Sequence, residues 1–130
     1  MNNAYLFVYG TLRKGYGLKL LQEIGSALTY VGEATVQATL FDLGDFPGAV
    51  KGGEAEIKGD VFTLHDRQVF DLLDAYEGEA FKREEATVRL QSGEKVKAWL
   101  YWYTGNTANC PAIPNGDYLD YLKSKKDRFV

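Results

Sequence analysis

Two places in this 130-residue chain combine residue types that can do chemistry. The first is Tyr9-Gly10-Thr11-Leu12-Arg13, directly after the apolar run that starts at Tyr5. Glycine lets the backbone turn sharply there, and consecutive amides in such a turn form a nest that holds an anion. A small carboxylate is the ligand such a nest suits. The second is Glu77, at the end of a helical pattern. A carboxylate in the last turn of a helix meets the negative end of the macrodipole, which disfavours it by about 0.3 to 1 kcal/mol. Local rules of this kind tend to be broken at working sites. Asp71 and Asp74 precede Glu77 and Glu79 follows it. Their negative field, with any burial, is expected to raise its pKa toward the range useful for proton transfer near neutral pH. An ordinary glycine turn and a solvated acidic helix end are the competing readings of the same residues.

Other chemistries find little support. The single Cys110 and single His65 exclude an internal disulfide framework and leave the usual Cys/His zinc site without ligands, so no metal is expected. Neither residue has a recognisable nucleophile context. Gly10 and Gly15 have the spacing of a phosphate-binding loop, but Tyr16-Gly17 stands where Lys-Ser/Thr is required. Gly15-x-Gly17 opens a dinucleotide pattern that Leu20 then breaks. Leu6-Phe7-Val8 and Lys14-Gly15-Tyr16-Gly17 resemble the two motifs of an RNA-recognition sheet, yet sit too close together for adjacent central strands. With a net charge of −3, no overall basic surface favours nucleic acid or anionic membranes. No targeting segment and no membrane-spanning run is visible. One domain over residues 1–130, in the reducing cytoplasm, is the expectation.

The elements that must position these residues read as α+β. Tyr5 to Tyr9 is a buried first strand, Leu28 to Leu43 has strand composition, and Gly44 to Gly48 is turn chemistry. Glu54 to Leu64 follows as a strand. Val69, Leu72, Leu73 and Tyr76 fall at i, i+3, i+4 and i+7, predicting an amphipathic helix over Asp66 to Glu77, N-capped by Asp66 and closed by Gly78. Phe81 to Gln91 and Glu94 to Tyr103 flank Ser92-Gly93 as two strands. The second alternates Val96, Ala98, Leu100 and Trp102 against Lys95, Lys97, Trp99, Tyr101 and Tyr103. With both faces apolar in its later half, it is expected to be central. A short helix from Asp117 with a basic end, Lys123, Lys125, Lys126 and Arg128, closes the chain. Roughly five strands and two helices point to a mixed or antiparallel sheet, curled into a small barrel, with helices at one side.

Four blocks, in order, resemble the gamma-glutamylcyclotransferase-like family, of the gamma-glutamylamine cyclotransferase type. They are Tyr9-Gly10-Thr11-Leu12-Arg13-Lys14-Gly15, Asp45-Phe46-Pro47-Gly48-Ala49-Val50, Leu73-Asp74-Ala75-Tyr76-Glu77-Gly78 with Phe81 and Arg83, and Ala98-Trp99 to Tyr103. Gly116-Asp117-Tyr118 is a weaker echo. The resemblance implies a small mixed β-barrel with flanking helices and a cavity between the first loop and the helix end. It implies cofactor-independent cleavage of a gamma-glutamyl amine or related conjugate to 5-oxoproline and a free amine. Tyr9 and the amides of Gly10, Thr11 and Leu12 would then bind a substrate with a free α-amino acid end, and Glu77 would be the acid/base. Arg83 would fix Glu77 or the substrate carboxylate, and Phe81 and Tyr103 would be cavity walls. Gly17-Leu18-Lys19 departs from the polar segment common in that family, and Phe81 replaces a more usual tyrosine. Both departures bear on which substrate is accepted.

Two other readings compete. One is a non-catalytic module holding a small carboxylate metabolite in the same cavity. The other is an interaction domain using exposed aromatics such as Trp99 and Tyr101. The identity of the leaving amine and the oligomeric state are left open.

Overall fold

A computed structural model describes residues 4–10, 28–44 and 46–127. Seven strands and two helices are present among the described residues. They are β1 (Ala4–Val8), β2 (Leu28–Gln37), β3 (Thr39–Asp42), β4 (Pro47–Val50), β5 (Glu56–Leu64), α1 (Val69–Glu77), β6 (Phe81–Leu90), β7 (Lys95–Tyr103) and α2 (Tyr118–Asp127). The sheet runs β1-β5-β2-β6-β7 and closes on itself where β7 pairs with β1, giving a five-strand barrel; β4 and β3 extend from β7. The fold is α+β, a small mixed barrel with flanking helices.

The alternation of β7 decides what lies on each side of the barrel wall. Ala98, Leu100 and Trp102 point inward and join Phe7, Val36, Leu40, Ile57, Val61 and Val88 in the barrel core. Trp99 and Tyr101 point outward against α1, packing with Leu6, Val8, Phe62, Leu64, Phe70 and Leu73. The same alternation sends Phe7 inward and Leu6 and Val8 outward along β1. Tyr101 is therefore buried and Trp99 half-buried, which removes them as an exposed aromatic patch.

Several elements differ from the sequence expectation. The run from Leu28 to Leu43 breaks at the buried Ala38, whose N–H bonds to Ala55, and so divides into β2 and β3. Pro47-Gly48 is strand: proline is tolerated at a strand's first residue because no ladder donor is needed there, and β4 pairs with β3 from Asp42–Pro47 to Thr39–Val50. Helix α1 starts at Val69, with Asp66 capping the turn before it by accepting from the Gln68 N–H at 2.9 Å. Its apolar stripe is rotated. Val69, Phe70 and Leu73 are buried, Leu72 is 50% exposed, and the Tyr76 side chain lies outside the described ones. Asp117 caps α2 through the Asp120 N–H. Among the described residues no helix is long and apolar enough to cross a membrane.

Candidate active site

β7 lends one edge to two strands in turn. β1 runs parallel to it at Leu6–Trp99, and β4 takes over, also parallel, at Ala49–Trp102. Between the two, the chain leaves the barrel at Tyr9 and Gly10. Strand ends that diverge from a shared neighbour open a crevice, the geometry that places ligand sites at switch points of sheets. The Tyr9 hydroxyl sits at this seam, where it donates to the Tyr101 carbonyl at 2.5 Å and accepts from the Ala49 N–H at 3.2 Å. Burial, opposed by the Ala49 N–H and reinforced by the charge of Glu77, pushes the Tyr9 phenol's pKa well above its ordinary value. That hydroxyl is thus engaged within the protein.

Gly10 packs on Pro47 so closely that a Cβ would stand 2.9 Å from the proline Cγ. At Gly48 a Cβ would come within 2.7 Å of Leu43 and 2.9 Å of the Tyr103 Cβ. The glycines are required here by space. Thr11 and Leu12, expected to continue the carboxylate nest, lie outside the described residues, as do Asp45 and Gly17-Leu18-Lys19.

Glu77 is the last residue of α1, seven after Phe70 and four after Leu73, so it shares their buried face. Gly78, at φ 83, ends the helix with its N–H bonded to the Asp74 carbonyl at 3.0 Å. Burial pushes the Glu77 carboxyl up to about 7. The cause is desolvation, not the acidic neighbours: Asp74 is held by other partners, and no charge-charge contribution accompanies the shift. Among the described residues nothing bonds the Glu77 carboxyl, while its charge raises the pKa of both Tyr9 and Tyr101. It is a half-buried acid held near neutrality beside the seam.

Arg83 does not fix Glu77. Its Nε and Nη2 clasp Asp74 at 3.0 and 3.3 Å, and its guanidinium lies over the Phe70 ring at 4.0 Å and near Trp99 at 5.2 Å. The Tyr101 hydroxyl donates to the same Asp74 at 2.6 Å. Desolvation acts to raise the Asp74 pKa, but the bonds from Arg83 and Tyr101 and the guanidinium charge outweigh it and hold the carboxyl below its usual range. Asp74, Phe81, Lys82, Arg83 and Tyr101, with the last turn of α1, line an open groove of about 560 Å³. Tyr103 packs on Phe81 with ring centres 5.5 Å apart, and Phe81 on Phe46 at 5.8 Å. Asp74 and Tyr101 were not singled out from sequence as site residues. Starting the helical stripe at Phe70 finds Asp74: 70, 73, 74 and 77 run along one side of α1, with the exposed Asp74 at the stripe's edge within reach of Tyr101 on β7. Among the described residues no group of three His, Cys, Asp or Glu side chains could hold a metal ion.

Residues 6–120 match the family described as Gamma-glutamyl cyclotransferase, AIG2-like. A Methanocaldococcus jannaschii protein carrying a provisional gamma-glutamylcyclotransferase name is 30% identical over 125 residues, spanning 90% of this chain and 97% of its own. The crystal structure of YkqA from Bacillus subtilis superposes with a TM-score of 0.78 at 26% identity, over 97% of this chain and 43% of that longer one. The crystal structure of a mouse AIG2-like protein has the same fold, with a TM-score of 0.74 at 20% identity, covering 91% of this chain and 89% of the mouse one.

Proposed function

As the chain belongs to the gamma-glutamyl cyclotransferase, AIG2-like family, we propose that it converts a gamma-glutamyl amine or related gamma-glutamyl conjugate to 5-oxoproline and a free amine, with Glu77 as acid and base. The observation that carries this reading is the half-buried Glu77 carboxyl, poised at about 7 at the end of α1 beside the Tyr9–Gly10 seam. The amides of Gly10, Thr11 and Leu12 hold the substrate's α-carboxylate, and Phe81 and Tyr103 wall the cavity.

The nucleophile in this reaction is the substrate's own α-amine, so positioning supplies much of the rate. The Glu77 carboxylate takes a proton from the α-ammonium, freeing the nitrogen lone pair to attack the γ-carbonyl carbon. The bond from that carbon to the leaving nitrogen then breaks as the Glu77 carboxylic acid returns its proton to that nitrogen. The ring nitrogen sheds its remaining extra proton to water, leaving a neutral lactam, a free amine and an ionised Glu77. A single carboxylate with a pKa near the working pH serves both transfers, and no cofactor is required by this balance.

The test is 5-oxoproline release from a panel of gamma-glutamyl amines and dipeptides, with wild type beside Glu77→Gln. Turnover by wild type that the variant loses, with its fold intact by circular dichroism, is the expected result. A variant as fast as wild type removes Glu77 from the chemistry; silence of wild type across the panel overturns the reaction.

A further inference from the structure

The Asp74–Arg83 pair presents an arginine whose binding edge is already built. The guanidinium is immobilised by two bonds to Asp74 and by the Phe70 and Trp99 rings beneath it. Those bonds use Nε and one hydrogen of Nη2, so the second Nη2 hydrogen and both on Nη1 stay unspent. No other partner of Arg83 is present among the described residues, and its side chain keeps 26% of its surface open. It lines the groove together with Asp74, Glu79, Lys82, Phe81 and Tyr101, Lys82 balancing the charge of Glu79 as Arg83 balances that of Asp74. A rigid guanidinium with free, forked donors is the arrangement that reads a carboxylate.

The groove borders the candidate acid/base. Asp74 and Ala75 in its lining come from the turn of α1 that ends in Glu77, Gly78 follows that turn, and Tyr101, also in the lining, feels the charge of Glu77. The lining is open at Gly78, where a Cβ would meet nothing within 4 Å. A volume of about 560 Å³ suits an amino acid or a dipeptide.

Resting on the cyclotransferase reading, we infer that this groove receives the leaving group and that Arg83, held by Asp74, selects leaving groups bearing a carboxylate, such as amino acids and peptides, over simple amines. Arg83 is a specificity residue here and takes no part in proton transfer.

The experiment compares gamma-glutamyl-alanine with gamma-glutamyl-alaninamide, which differ only in that carboxylate, on wild type and Arg83→Met. Wild type is expected to prefer the acid by at least about tenfold in kcat/KM, the loss typical of one charge-assisted contact, and the variant to bring the ratio close to one. A wild-type ratio near one, or a variant that keeps the wild-type ratio, overturns the inference even if both substrates turn over. Arg83→Lys, which keeps a charge and a bond to Asp74 but not the fork, substitutes if the methionine variant does not fold, and is expected to lose most of the preference. Binding is read separately through the fluorescence of the tryptophans, one of which, Trp99, lies beside Arg83. Alanine should give a saturable change that alaninamide does not, lost in the variant. If neither substrate is turned over, the proposed reaction fails and this titration alone decides the groove: a selective alanine response upholds the carboxylate site, and its absence overturns it.

Discussion

The Tyr9 hydroxyl ties together β7 and β4 where they pair, donating to the Tyr101 carbonyl at 2.5 Å and accepting from the Ala49 N–H at 3.2 Å. It joins the residue after β1 to the C-terminal part of β7 and to β4. A second link of Tyr101, its hydroxyl on Asp74, ties the same strand to α1.

Removing that hydroxyl takes one hydrogen-bond partner from the Tyr101 carbonyl and one from the Ala49 N–H. Tyr9→Phe is expected to lose about 1 to 3 kcal/mol of stability, in the range for two buried hydrogen bonds. Urea titrations read this as a lower midpoint with an unchanged slope. A loss under 0.5 kcal/mol would mean that water or a backbone shift replaces the hydroxyl.

Glu77 makes activity and stability respond to pH in opposite directions. Proton abstraction needs the carboxylate, so kcat/KM should rise as pH climbs through about 7. Folding raises this pKa from 4.5, so between 4.5 and 7 the folded protein holds a proton that the unfolded chain has released, and stability falls as pH rises through that window. A rise of this size corresponds to about 3 kcal/mol. Glu77→Gln should therefore be more stable than wild type at pH 8, by up to that amount, and little different at pH 4. Equal melting temperatures of variant and wild type at pH 8 would refute the burial assigned to this side chain.

Gly10 and Pro47 are coupled by contact. Gly10→Ala puts a methyl 2.9 Å from the proline Cγ and is expected to cost about 1 to 3 kcal/mol, as overpacking does. Adding Pro47→Ala removes the obstructing ring and should recover at least half of that loss, which a double-mutant cycle measures directly. Strict additivity would place the strain elsewhere.

Leu72 and Leu73 separate the two possible faces of α1. Leu73→Ala should cost about 2 to 5 kcal/mol, because the side chain is fully buried. Leu72→Gln, at a half-exposed position, should stay within about 0.5 kcal/mol of wild type. Comparable losses from both would return the buried stripe to Leu72 and take Glu77 off the core-facing side.

Much of this was legible in the residues themselves. The alternation along Lys95 to Tyr103 marked a strand with two covered faces, and β7 does pair with β6, β1 and β4. Gly78 marked the helix end, and Glu77 stood out by breaking the dipole rule. Pro47-Gly48 was misleading, because a proline at the first residue of a strand has the same composition as one in a turn. Helical phase was ambiguous for a similar reason: apolar residues at both 69, 72, 73, 76 and 69, 70, 73 make stripes, and only the barrel wall packed against the helix selects between them.

By itself the sequence determined the alternating strands, the helix and its glycine stop, and the residue types at the seam, because periodicity and backbone freedom are properties of a few neighbouring residues. The tertiary structure alone decided that Tyr9 bridges β4 and β7, that Arg83 serves Asp74 instead of Glu77, and that burial sets the acidity of Glu77. These are relations across 40 or 92 residues for the Tyr9 bonds, and nine for the Arg83 clasp. Desolvation and long-range hydrogen bonding depend on what closes over a group, and barrel closure and helix packing supply that only once the chain is folded.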